Sequence, residues 1–474
     1  MSKKILKNTI YYTIGEIVPR ILSFLLLPIL TLYLTASEYG INSYITAVMS
    51  FVLVFTTLSL NTFLLRSYYH IKDERERKEV TGSVFLFILF FNVILVGLQM
   101  LTFPLIISFF KIKVPFYPYF VLAILINFFE AVSIIPLVLY RIKEDAKGFL
   151  LISLSKTVLQ FILVYIFVVT FRQGLEGSLY SRLLVNIPFF FIYLFIIKRN
   201  GIFKINAKVI KQALRFSLPL LPGALSFLFI SLSDRIILER YITLDQIGIF
   251  SVAATLSLVL NVIIQALYKS FEPIIFKEFT EDNFQDTNIK LFRIYLFALF
   301  AGAFCTSIFS KEFFVIATSG VFREAYRIVP YLIISVVISG INTYYGILLI
   351  ANKKTIQVSS IFILSAIINI VLNFVFVPYY GYYGAIIAST ISFLAANLIF
   401  QHNIIINNKH LTAQAVLIIL VVVIPVLYDR YIESTIIISL VFKAILCVIY
   451  CTISFLMLGI NIRSIKGQFF QKGT

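Results

Sequence analysis

The chain has 474 residues, of which 60% are hydrophobic and 13% charged, and its mean hydropathy is +0.98. A soluble protein is nearer half apolar and a quarter charged, so this composition cannot furnish a water-facing surface and excludes a soluble enzyme. The 40 Lys and Arg against 22 Asp and Glu leave a net charge of +18, which in so apolar a chain reads as the positive-inside bias of membrane proteins and not as a nucleic-acid footprint.

In chain order, the first element is an apolar run with a basic start at Lys3, Lys4 and Lys7. It has no small-residue cleavage site, and Glu16 and Arg20 interrupt it, so it reads as a retained helix and not a signal peptide. Long stretches without Asp, Glu, Lys or Arg follow, at Tyr39–Leu65, Val80–Phe110, Ile328–Asn352 and Thr355–Asn408. A bilayer core takes about 20 apolar residues per helix. The pattern predicts an all-α polytopic membrane protein with 14 spans, at roughly 10–35, 41–65, 80–103, 116–140, 149–171, 176–197, 213–239, 246–270, 290–309, 326–351, 356–378, 382–400, 411–428 and 434–459. Every gap is too short for a folded domain outside the membrane. With the N-terminus inside, 25 Lys and Arg fall on inside segments and 8 on outside ones. That asymmetry places both termini in the cytoplasm.

The chain also repeats itself. Gly174-Leu-Glu-Gly177 returns as Gly381-Tyr-Tyr-Gly384, and Glu38-Tyr-Gly40 as Gln246-Ile-Gly248, at offsets of 207 and 208. Two six-helix halves are expected, 1–205 and 206–405, related by an axis along the membrane normal. Residues 406–474 add two further helices and a cytoplasmic tail.

No P-loop, GxSxG or HExxH motif is present, and no sizeable loop carries paired acids, so an enzyme is not expected. Cys305, Cys447 and Cys451 lie in apolar segments, and His70, His402 and His410 in polar loops without metal-ligand spacing. No metal or cofactor is expected. The informative residues are ionisable groups within spans, which are costly in hydrocarbon and must face protein or a wet cavity. They are Glu16 and Arg20 in the first span, Glu130 in the fourth, Lys156 and Arg182 in the fifth and sixth, Asp234, Arg235 and Glu239 in the seventh, and Lys443 in the last. Glu16 with Arg20, and Arg235 with Glu239, have the four-residue spacing at which opposite charges on one helix neutralise each other. Lys443 calls for a polar partner on the thirteenth span or a lipid headgroup. Pro19 and Pro28, and Pro219 and Pro222, fall in the opening helices of the two halves. Kinks at matching places in two repeats mark a hinge or substrate site, although Pro is also common in membrane helices. Asn369 and Asn373, one turn apart, read as bonds between neighbouring helices. Tyr379, Tyr380, Tyr382 and Tyr383 read as an interfacial aromatic belt before a sugar-stacking platform.

Three segments resemble the O-antigen type polysaccharide flippases of the multidrug/oligosaccharidyl-lipid/polysaccharide exporter superfamily. The first runs from Thr9 to Tyr69 and contains Leu34-Thr-Ala-Ser-Glu-Tyr-Gly40 and Leu64-Leu-Arg-Ser-Tyr-Tyr69. The second is Phe216-Ser-Leu-Pro-Leu-Leu-Pro222 with Ser233-Asp-Arg-Ile-Ile-Leu238 and Ile247-Gly-Ile-Phe-Ser-Val252, and the third joins Asn369-Ile-Val-Leu-Asn373 to Val377-Pro-Tyr-Tyr-Gly-Tyr-Tyr-Gly-Ala385. The resemblance implies two six-helix bundles around a central cavity. It also implies an undecaprenyl-pyrophosphate-linked oligosaccharide as substrate, moved from the cytoplasmic to the outer leaflet, with glycosyltransferases and a polysaccharide polymerase as working partners. Arg66 and Asp234-Arg235 lie in the matching segments. Arg235 and Arg66 are the first candidates for the pyrophosphate, with Arg20, Arg182 and Lys156 added from the reading of the residues. Asp234, then Glu16, then Glu130, are the candidates for ion coupling. A cation-coupled drug or metabolite exporter of the same superfamily is the alternative, and a membrane polymerase or transferase a more distant one.

Overall fold

The computed structural model describes residues 3–279, 284–403, 411–432 and 435–459, and every regular element among them is helical. Contacts divide the chain into two compact units, Met1–Gly248 and Ile249–Thr474.

The first unit contains α1 (Lys3–Tyr33), α2 (Ala36–Thr57), α3 (Leu60–His70), α4 (Glu74–Phe110), α5 (Val121–Ile142), α6 (Ala146–Val164), α7 (Gly174–Asn200), α8 (Ala207–Ser217) and α9 (Leu221–Tyr241). It ends within α10 (Leu244–Ser257). The second continues through α11 (Val259–Glu278), α12 (Phe284–Ile308), α13 (Ser310–Ala317), α14 (Val329–Ala351), α15 (Thr355–Tyr380), α16 (Tyr382–Asn403), α17 (Leu411–Tyr431) and α18 (Ile436–Met457). Each of the 14 expected spans corresponds to one helix or to a consecutive pair. Twelve segments are long and apolar enough to cross a membrane, the bent pair over 207–241 makes a thirteenth, and the apolar stretch Ile21–Tyr33 of α1 accounts for the remaining one.

The second span is not one straight helix. Leu58 and Ser59 adopt left-handed conformations, with φ of 50° and 53°, and separate α2 from α3. A break inside hydrocarbon frees backbone carbonyls that water cannot satisfy. Here the Thr56 carbonyl accepts from Asn92 Nδ2 of α4 at 2.9 Å, and the Ser59 carbonyl from the Ser217 hydroxyl at 3.3 Å. The eighth span is likewise divided, at Leu258.

The internal repeat is built into local geometry. Gly174 and Gly381 have φ of +55° and +56°, a region open to glycine at no steric cost. Thr35 and Glu38 form a capping box at the start of α2, and Thr243 and Gln246 exchange the same pair of bonds at the start of α10. Glu38 does a second job, since its Oε1 accepts from the Leu175 amide at 3.1 Å and so ties the start of α2 to that of α7. Between the two boxes α2 crosses the first turn of α10 on glycine. A Cβ on Gly40 would lie 2.0 Å from the Leu244 carbonyl oxygen, and one on Gly248 2.0 Å from that of Ala36.

In the second unit, Tyr295, Tyr344 and Tyr345 are fully buried around Phe292, and Tyr295 donates to the Gly340 carbonyl at 2.7 Å. Asn369 Nδ2 donates to Ser389 Oγ of α16 at 3.1 Å and so joins the neighbouring helix, while Asn373 Nδ2 donates within α15 to Asn369 Oδ1 at 3.0 Å. Tyr379 and Tyr380 are exposed at the end of α15, beside the Gly381 turn.

Candidate functional site

Three of the expected charged residues meet in the first unit. Glu130 on α5, Lys156 on α6 and Arg182 on α7 are far apart in sequence, yet Glu130 acts electrostatically on both cations. Glu130 and Arg182 line a cavity of about 110 Å³ between α2, α5 and α7, together with Thr46, Ser50 and Asn127. Its remaining lining is apolar, from Ile45, Met49, Leu53, Ala123, Ile126 and Leu179. All three charged side chains are half-buried, and the ion pairs described in this unit, Lys78–Glu74 and Arg235–Asp234, do not include them.

Asn127 completes the site. It is buried, and its Nδ2 donates to the Met49 carbonyl of α2 at 2.8 Å, which fixes the amide plane. Its Oδ1 is buried with no hydrogen-bond partner among the described residues. An unpaired acceptor of this kind costs about 1–3 kcal/mol, and it lies just behind the surface of the cavity wall. The cavity offers the Arg182 guanidinium, the Glu130 carboxylate and the Thr46 and Ser50 hydroxyls, with the Lys156 cation within electrostatic reach of Glu130, in a bundle whose outer faces meet lipid. An anion with attached hydroxyls would satisfy all of them.

The seventh-span residues form a second polar group. Arg235 Nη1 lies 3.0 Å from Asp234 Oδ1 and donates to the Ser231 carbonyl at 3.1 Å. Both side chains are almost entirely buried. Glu239 accepts from the Lys113 amide at 2.5 Å, and Lys113 Nζ donates to the Glu239 and Ile242 carbonyls at 2.6 and 2.8 Å, capping the C-terminus of α9 with a cation. Arg66 stands elsewhere, exposed on α3 with its guanidinium 4.9 Å from the centre of the Phe216 ring at the end of α8. Arg66 thus stands against the end of α8, and Arg235 lies within α9 beyond the bend.

The 207–241 run is bent by 56° between Ala207–Ser226 and Leu228–Tyr241, just after Pro219 and Pro222. Pro19 and Pro28 lie inside α1, which continues as one helix from Lys3 to Tyr33. The side chains of Glu16 and Arg20 lie outside the described residues.

Sequence reasoning did not single out Asn127 or Asn92, because an asparagine in a span has no distinctive spacing. It also left the partners of Lys443 open. Lys443 is fully buried and lies 2.9 Å from Glu312 Oε2 of α13 and 2.7 Å from Asp429 Oδ1 of α17, while Ser439 donates to the other Glu312 oxygen at 2.5 Å.

The family described as polysaccharide biosynthesis protein matches residues 5–279. Lsg locus putative protein 1 of Haemophilus influenzae is 24% identical over 277 residues, which are 57% of this chain and 65% of that relative. The match therefore spans just under two thirds of the relative's length. Among solved structures, the lipid II flippase MurJ in an inward closed conformation superposes with a TM-score of 0.72 at 17% identity, over 95% of this chain and 99% of that one. A multidrug resistance MATE family transporter in an inward-facing conformation superposes with a TM-score of 0.62 at 14% identity, over 83% and 98% of the two chains. At these identities the likeness establishes a shared fold.

Proposed function

Because the chain belongs to the polysaccharide biosynthesis protein family and has the fold of these transporters, we propose that it is a flippase for lipid-linked oligosaccharides. The substrate is an undecaprenyl-pyrophosphate-linked repeat unit, taken from the cytoplasmic to the outer leaflet of the bacterial inner membrane for cell-surface polysaccharide synthesis. The protein performs no bond chemistry, and both of its termini lie in the cytoplasm. The two repeats, 1–205 and 206–405, rock against each other to expose the site to each leaflet in turn.

The observation that carries this reading is the meeting of Lys156 and Arg182 with Glu130 and Asn127 inside a membrane bundle. The polyprenyl tail of the substrate can stay in lipid, but its pyrophosphate and sugar hydroxyls cannot cross hydrocarbon unpaired, at several kcal/mol per group. Arginine suits the phosphate because its planar fork donates two parallel hydrogen bonds. The Glu130 carboxylate and the Thr46 and Ser50 hydroxyls suit the sugar hydroxyls. Arg235, held by Asp234, and Arg66, held by Phe216, supply further cations along the path. A drug exporter handling cations would be served by acids in excess of bases, which is the reverse of this cavity's surroundings.

Movement of a fluorescent undecaprenyl-pyrophosphate oligosaccharide between leaflets of reconstituted vesicles tests the reading. Wild type accelerates the exchange, Arg235→Ala and Arg182→Ala abolish it at unchanged protein abundance, and the corresponding Lys variants restore it in part. Wild-type exchange in both Ala variants would leave the two arginines with structural roles only and overturn the assignment.

A further inference from the structure

The polar half of α8 holds none of the residues proposed above to meet the substrate. From 177 to 233 the chain has seven Lys and Arg and not one Asp or Glu. Four of the seven lie on this segment: Lys208, Lys211 and Arg215 recur within α8 at intervals of three and four, the spacing of one helix face, and Lys204 stands in the turn just before the helix. All four are exposed. The opposite face buries Ala213 and Ser217 and half-buries Val209, Ile210, Leu214 and Phe216, against α3 and α4.

The helix is set firmly in place. Asn206 caps it, with Oδ1 accepting from the Lys208 amide at 3.0 Å, and Asn206 Nδ2 donates to Glu79 at 2.8 Å. The Ile202 amide donates to the Lys78 carbonyl at 2.9 Å, and the Ser83 hydroxyl to the Lys204 carbonyl at 2.6 Å. The acids carried by the neighbouring turn of α4 are engaged: Glu79 by Asn206, Glu74 by Lys78 at 2.8 Å, and Asp73 by the Glu76 amide at 3.0 Å. Glu76 itself is exposed, and it leaves the stripe with a large positive excess.

Large apolar side chains stand exposed at both ends of the stripe. Phe203 and Ile205 precede the helix, at 48% and 52% exposure, and Leu218 and Leu220 follow it, at 46% and 39%. A basic face flanked by exposed apolar side chains is the composition of a helix lying in the headgroup layer of a bilayer. Water alone would leave the apolar residues unsatisfied, and hydrocarbon alone would leave the cations unsatisfied.

We propose that α8 lies in the headgroup layer and that Lys204, Lys208, Lys211 and Arg215 form a binding surface for anionic phospholipid headgroups. Phe203, Ile205, Leu218 and Leu220 seat it among the acyl chains. The occupant is a phosphodiester lipid of the surrounding bilayer, and this holds whatever the transported substrate is. Phe216, which carries the Arg66 guanidinium, ends the same helix. Lipid bound along the stripe therefore bears on the placement of Arg66.

The chain has no tryptophan, which permits a direct test. Phe203→Trp provides a single fluorophore at one end of the stripe and Leu218→Trp one at the other. Each full-length variant is reconstituted into phosphatidylcholine vesicles containing an equal low fraction of brominated phosphatidylglycerol or brominated phosphatidylcholine, and quenching is compared. A basic residue close to an anionic surface favours contact by about fivefold, so the brominated anionic lipid quenches with at least roughly tenfold preference. The preference falls in molar salt and disappears when all four basic residues are replaced by Gln. Equal quenching by the two lipids, quenching by neither, or a preference that survives the four Gln substitutions at both tryptophan positions overturns the proposal. The vesicle lipid is present in both leaflets, so the result does not depend on orientation. A reporter fused after Lys211 tests sidedness separately.

Discussion

Alanine at Gly248 is the sharpest probe of the crossing between α2 and α10. The new methyl carbon would stand 2.0 Å from the Ala36 carbonyl oxygen and 3.2 Å from the Gly40 amide nitrogen. An ordinary contact of this kind needs about 3.4 Å, and the obstacle is backbone, so no side chain can swing aside. The two helices must part by more than an ångström, which forfeits the close approach that small residues give a membrane interface. Overpacking of this size costs about 1–3 kcal/mol. Against it stands a gain of up to about 1 kcal/mol from replacing glycine by alanine in a helix. Gly97 is the matched control, because a Cβ there meets nothing within 4 Å and only the gain applies. The assay is thermal unfolding of the detergent-solubilised protein in a Cys305→Ser, Cys451→Ser background, because those two thiols are exposed and half-buried, and it is followed by reaction of Cys447, which is buried in the folded state, with a thiol dye. Gly97→Ala unfolds at or above the wild-type midpoint and Gly248→Ala below it. Gly40→Ala behaves like Gly248→Ala, and the double variant costs less than the sum, since the first methyl has already opened the crossing. A Gly248→Ala protein as stable as Gly97→Ala would refute the argument.

Two further outcomes are expected. Glu130→Gln keeps shape and hydrogen bonding but cannot exchange a proton, so it loses the dependence of flipping on an imposed proton gradient if Glu130 is the coupling group. If Asp234→Asn loses that dependence instead, the role belongs to the Asp234–Arg235 pair. Lys443→Met leaves Glu312 without its cation and Asp429 with only Lys311, 4.0 Å away, and costs about 3–5 kcal/mol, seen as a lowered unfolding midpoint, and adding Glu312→Gln and Asp429→Asn recovers most of it. A single Lys443→Met variant with a wild-type midpoint would contradict the buried-charge account.

The spans were legible because a bilayer imposes one requirement on every helix that crosses it, and the requirement is written locally as a run of about 20 apolar residues. The glycine turns at 174 and 381 were legible for a similar reason, since a left-handed φ at a turn restricts the residue that can occupy it. The break at Leu58–Ser59 was not, because neither residue is a glycine or proline and the break is held open by Asn92 and Ser217 from other helices. The candidate site was legible only in pieces. Glu130, Lys156 and Arg182 each stood out as a charge in a span, but their meeting depends on how α5, α6 and α7 pack, and no spacing in the sequence records that. Arg235 and Glu239 have the spacing of a helix pair, yet Glu239 takes the Lys113 amide and Asp234 takes Arg235, because a hydrogen bond from a loop and a neighbour on the same turn were within reach.

The buried lysine of α18 has a consequence for the order in which the chain is assembled. A lysine at the centre of a membrane helix costs about 2.5–3.5 kcal/mol to insert alone, and α18, which carries Lys443, follows the other described helices in the chain. Its partners, Glu312 and Asp429, both precede it in the chain. When α18 leaves the insertion machinery, two carboxylates already wait at its destination, and the charge need never face lipid by itself. The reverse arrangement, with the lysine on an early helix and the acids on a late one, would oblige a bare cation to sit in hydrocarbon while the rest of the protein was made.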